Sequence, residues 1–167
     1  MGPLALDVSR KEAGADYLAS VEMLGLRPTA LFWAFDKTLE QFVLVLTTPM
    51  FDYAGPLELS KVLIEAYRKS GTPKEIDPFI VQMHSPEHAI IREMAKFMPF
   101  NASAATVSDP SGRPRQDIGI VALTINTGDL EVSSNWVYRF EKPAPVKTVE
   151  ASRRWRRFVD RVDKLAA

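Results

Sequence analysis

The chain has no cysteine. Disulfides, iron–sulfur clusters, thiolate zinc sites and cysteine nucleophiles are excluded together. The absence suits a reducing compartment, and a cytoplasmic location is expected, although a well-cored domain needs no disulfide in either setting. Net charge is also lacking, since 21 Lys and Arg balance 21 Asp and Glu. No global field holds a polyanion or a membrane surface, and nucleic-acid contact has to come from a local patch. Long apolar runs are missing. The most apolar stretches, Leu31 to Phe35 and Phe42 to Leu46, fall far short of the roughly 20 residues that span a bilayer. Residues 1–7 carry no basic segment leading into an apolar one, so no signal peptide is expected. Leu6 stands where a myristoylation signal wants Ser or Thr. With no secretory signal, the Asn101-Ala102-Ser103 sequon carries little meaning. No Gly-rich phosphate loop and no G-x-S-x-G elbow occurs.

What remains is ordinary globular composition: 167 residues, 46% hydrophobic, 25% charged. That is one domain's length and enough chain to bury a core unaided. Ser9 to Leu24 reads as a helix, with Ser9 as cap and Ala13, Tyr17, Val21 and Leu24 at helical spacing. Thr29–Phe35 and Phe42–Thr48 read as a hairpin of strands too apolar for one wet face, so cover on both sides is expected. Pro49 to Gly55 reads as a loop. A helix from Pro56 carries Leu59, Val62, Leu63, Ala66 and Tyr67 on one face. Phe79 to His84 reads as a strand, with Phe79, Val81 and Met83 sharing a face. A third helix is expected from Pro86, capped by Ser85. A long polar connection, residues 101–117, precedes a second hairpin of Ile118–Ile125 and Leu130–Phe140. Thr148 to Leu165 reads as the last helix.

The order α-β-β-α-β-α-β-β-α predicts an α+β domain with a five-stranded, mainly antiparallel sheet. In topology alone it resembles the roadblock and profilin-like sheets, with a helix added after the third strand. Residues 1–141 form the expected domain. Residues 142–167 form a Pro-containing spacer and a basic amphipathic helix, packed on the same domain or on a second subunit.

His84-Ser85-Pro86-Glu87-His88 matches the H-x-x-E-H string of inverted zinc peptidases. That chemistry needs both histidines on one helical face. Pro86 opposes it, because the residue before a proline avoids the α region and proline itself belongs in a first helical turn. A strand-to-helix turn is the plainer expectation. These are the only histidines, so a small enzyme with a histidine acid–base would have to use His84 or His88. Asp36, Glu40, Asp52, Glu58, Glu75 and Asp77 show no metal-ligand spacing, and no metal or other cofactor is expected.

The informative segment is the C-terminal one. Residues 142–167 hold eight basic residues against three acids, a net of +5, which leaves the first 141 residues at −5. Ala151, Trp155, Phe158, Val162 and Leu165 repeat in steps of four and three, as in an a/d seam. Such a stripe has to pack on something. It can pack on its own sheet, with the arginines solvated. It can also dock on another subunit or a partner, with Trp155 and Phe158 as anchors and Arg153, Arg154, Arg157 and Arg161 as charged contacts. A third use is nucleic-acid or anion binding, helped by Arg113 and Arg115 in the long connection. The expected role is protein interaction or assembly, in a homo-oligomer or with a protein partner, rather than catalysis.

Overall fold

A computed structural model describes residues 5–101 and 124–166. The connection carrying Arg113 and Arg115, and most of the expected strand 118–125, lie outside the described residues.

The chain runs α1 (Val8–Met23), β1 (Ala30–Asp36), β2 (Gln41–Thr47), α2 (Pro49–Ala54), α3 (Pro56–Arg68), β3 (Val81–His84), α4 (Ala89–Ala95), β4 (Thr124–Thr127), β5 (Leu130–Ser133), β6 (Val137–Phe140) and α5 (Thr148–Asp163). The class is α+β, and the sheet is mixed with six strands. Its order is β3-β2-β1-β5-β4, and β6 also pairs with β1. β1 pairs antiparallel with β2, β5 and β6, whereas β2 and β3 are parallel. A parallel neighbour cannot follow by a tight turn. The chain crosses over through α2 and α3 to reach it.

Several local expectations need correction. The expected strand 130–140 is two strands, because a 3-10 turn over Ser134–Trp136 interrupts it, capped by the Ser133 hydroxyl. The expected loop 49–55 holds α2. Thr48 caps that helix by accepting from Met50 N–H, and Pro49 fills its first turn. Asp7, not Ser9, caps α1. Phe79 lies in a 3-10 turn before β3 and is 89% exposed, so it does not share a buried face with Val81 and Met83. α4 begins at Ala89, and His88 rather than Ser85 is its cap.

Alternation along β1 and β2 feeds two cores. Leu31, Trp33, Leu44 and Leu46 face the larger one, with α1, α2, α3 and α5 over it. Ala30, Phe32, Ala34, Val43 and Val45 face the smaller one, against Ile90, Ile91 and Met94 of α4. The sheet is therefore covered on both sides. One buried carboxylate and one glycine turn shape its edges. Asp36 ends β1 with one carboxylate oxygen accepting from Thr38 and Leu39 N–H, at 2.9 and 3.0 Å, and the other from Gln82 of β3 at 3.2 Å. Gly128, at φ +61°, makes the tight turn between β4 and β5. Among the described residues no helix is long and apolar enough to cross a membrane.

Candidate functional site

The Arg-rich segment folds as one helix for local reasons. Glu150 sits in the first turn and Arg161 in the last, each complementing the helix dipole. Its apolar stripe is used by the chain's own core. Phe158 is 0% exposed, Ala151 and Val162 are buried, and Trp155 and Leu165 pack partly buried against the same cluster. Trp155 and Phe158 meet with ring centroids 5.9 Å apart. The C-terminal end is held from two directions. Lys69, the residue after α3, donates to the Val162 and Asp163 carbonyls, and Arg161 donates to the Met23 carbonyl at the end of α1, at 2.9 Å. Cations there satisfy orphan carbonyls of both helices.

Arg154, Arg157 and Arg161 recur at three and four residues and so share one flank of α5. That flank borders a cleft of about 470 Å³, whose opposite wall brings Arg27 and Arg139. Five arginines line it together with two acidic residues, Glu22 and Glu150. The carboxylates hold three of the arginines of this region in place. Glu150 accepts from Arg154 Nε at 3.0 Å and pairs with Arg153 at 3.6 Å. Arg139 pairs with Glu22 and, at 3.6 Å, with Glu141, and it donates to the Pro28 carbonyl. Arg27 and Arg157 make no side-chain hydrogen bond or ion pair among the described residues. The result is a concave, net-positive surface in which some forks are fixed and others are free.

The C-terminal residues singled out by the sequence thus divide. Arg154, Arg157 and Arg161 are brought together on the cleft. Arg153 lies beside it on Glu150, and Trp155 and Phe158 point into the protein. Arg27 and Arg139 were not anticipated. A signal for Arg139 was present, as the one charge inside the apolar run Trp136–Phe140. Arg27, before Pro28 in a turn, gave none.

The histidines are arranged differently. His84 ends β3 and His88 caps α4 with Nδ1 accepting from Ile90 N–H at 3.2 Å. Their rings stack with centroids 4.2 Å apart. Burial, and then the neighbouring His88, push the His84 pKa below its ordinary value. The pair is not carried on one helical face, so the zinc-peptidase geometry is absent. Asp52 accepts from the Ser85 hydroxyl at 2.9 Å, Asp77 caps the turn at Phe79, and Glu58 pairs with Lys61. Among the described residues no three His, Asp or Glu side chains converge as a metal ion would require. A much smaller space, beside Tyr17, Ser60 and Thr72, measures about 10 Å³, room for about one water and no substrate.

No family model matches the chain, and neither the curated proteins nor the solved structures compared with it contain a match.

Proposed function

We propose that this protein is an interaction module whose arginine flank on α5 docks an acidic protein surface. One observation carries the reading: the two sides of α5 are separated in use. Its apolar stripe is committed to the core through Phe158 and Val162, while its arginines join Arg27 and Arg139 around an open cleft. In this reading Trp155 and Phe158 seat the helix, and Arg153, Arg154, Arg157 and Arg161 meet the partner. Arginine suits the task, since its planar fork binds carboxylates bidentately and is weakly hydrated. Pinning by Glu22 and Glu150 lowers the side-chain entropy that binding would otherwise cost. Those same carboxylates, with Glu141 close by, favour a protein surface of mixed charge over the uniformly negative backbone of a nucleic acid. A second copy of the chain qualifies as such a partner, because residues 1–141 carry the compensating −5.

The test is a titration with polyglutamate and with duplex DNA at matched salt, alongside solution mass by light scattering. Polyglutamate binding is expected, lost in the double variant Arg153→Glu/Arg157→Glu. Tighter binding to DNA than to polyglutamate, or full binding by the double variant, refutes the reading.

A further inference from the structure

The arginine cleft does not end at α5. A second cleft, of about 240 Å³, continues from it and shares Arg27 and Arg154 as lining. Its far wall is the spacer between β6 and α5, with Lys142, Ala144, Pro145 and Val146. Between Lys142 and Val146 the backbone makes no hydrogen bond among the described residues; the flanking bonds are Glu141 N–H to the Thr29 carbonyl and Ala151 N–H to the Lys147 carbonyl. Prolines at 143 and 145 keep such a segment extended. In an extended chain, alternate N–H groups lie on one edge. Ala144 and Val146 keep their N–H donors, and Pro143 and Pro145 have none.

A groove lined by a segment whose backbone groups are unbonded among the described residues, and by several arginines, matches one ligand chemistry. We infer that the joined clefts bind an extended acidic segment of a partner protein, with Asp or Glu at alternate positions. Its backbone would pair with the spacer in the manner of an added strand. Its carboxylates, on one side of the strand, would recur about every 6.6 Å, against Arg154, Arg157 and Arg161, which step along α5 by about 4.5 and 6 Å. Arg27 and Arg157 are the two cleft arginines without a partner of their own among the described residues. This inference rests on the acidic-partner reading and adds to it the shape and backbone requirement of the ligand.

Fluorescence anisotropy with a labelled peptide of alternating Glu and Ser tests it. The other probes are the same peptide N-methylated at alternate amides, a helix-forming peptide of equal charge, and a labelled thymidine oligonucleotide. The alternating peptide is expected to bind most tightly. Arg27→Glu and Arg157→Glu should each weaken it about tenfold. Arg156→Glu, on another face of α5, should leave it unchanged. N-methylation should weaken it about fivefold. Equal binding of the helical and N-methylated peptides, with Arg157→Glu still harmful, overturns the strand-like groove and leaves the acidic-partner reading standing. Binding of the oligonucleotide but of neither acidic peptide, or no binding at all, overturns both.

Discussion

The Trp33 indole N–H donates to the Tyr138 hydroxyl across 3.1 Å, joining residues 105 positions apart. That hydroxyl in turn donates to the Lys11 carbonyl of α1 at 2.6 Å, so one phenol ties the first helix to the middle of the sheet. Burial pushes the Tyr138 pKa up to about 12 against the smaller opposing effect of the Trp33 N–H, which keeps the group a donor throughout the neutral range. Gly14 makes room for it: a Cβ there would lie 2.6 Å from two ring carbons of Tyr138 and closer still to its oxygen. Alanine is about 1 kcal/mol better than glycine in a helix interior. Gly14→Ala is nevertheless expected to destabilise, because the ring it strikes is anchored. Urea denaturation decides, and a stabilised variant would refute the packing.

The two sides of α5 predict opposite sensitivities. Phe158→Ala empties a fully buried site and should cost about 3–5 kcal/mol. Arg157→Ala removes a side chain with no partner among the described residues and should stay within about 0.5 kcal/mol. The same urea titrations compare the pair; equal costs would show that the stripe does not pack as described.

Asp36→Ala should cost about 1–3 kcal/mol, since it strands the N–H groups of Thr38 and Leu39 and the Gln82 amide at a buried position. Asp36→Asn keeps one acceptor and should lie between the two. Amide exchange of Leu39 reports the loss locally. Protection unchanged in the alanine variant would contradict the turn assignment.

Stability should fall in mild acid through His84. Its pKa is lowered in the fold from the ordinary 6.5, so the unfolded chain binds the proton more readily. The contribution is present above pH 6.5 and is lost as the pH drops through the folded-state value. Between the two histidines, the Ser85 hydroxyl donates to the Asp52 carboxylate at 2.9 Å and accepts from Glu87 N–H. Unfolding free energies at pH 7.5 and 5.5 are the measurement. His84→Gln should shrink the difference, and an equal difference in both proteins would exclude His84 as the source.

How much of this could be read beforehand follows from the range of each interaction. α3 and α5 were legible because their stripes recur within a few residues, and the double cover of the sheet was legible from the apolar runs of β1 and β2. The parallel partner of β2 was not. Nothing near Leu44 or Val81 specifies that they align across a crossover. α2 was missed although its cap was visible in Thr48-Pro49, because six residues give too little periodicity to outweigh turn-forming Asp52 and Gly55. The site was half legible. α5 announced its arginines, but Arg27 and Arg139 reach the cleft only through tertiary folding.

The seating of Phe158 bears on the order of events during synthesis. Chains emerge N-terminus first, and the larger core has a gap until this ring arrives. Everything up to β6 must wait on the ribosome with one face of the sheet incompletely covered, open to chaperones or to a neighbouring nascent chain. The arginine flank appears at the same moment as this helix, so the proposed docking surface exists only once the larger core is closed.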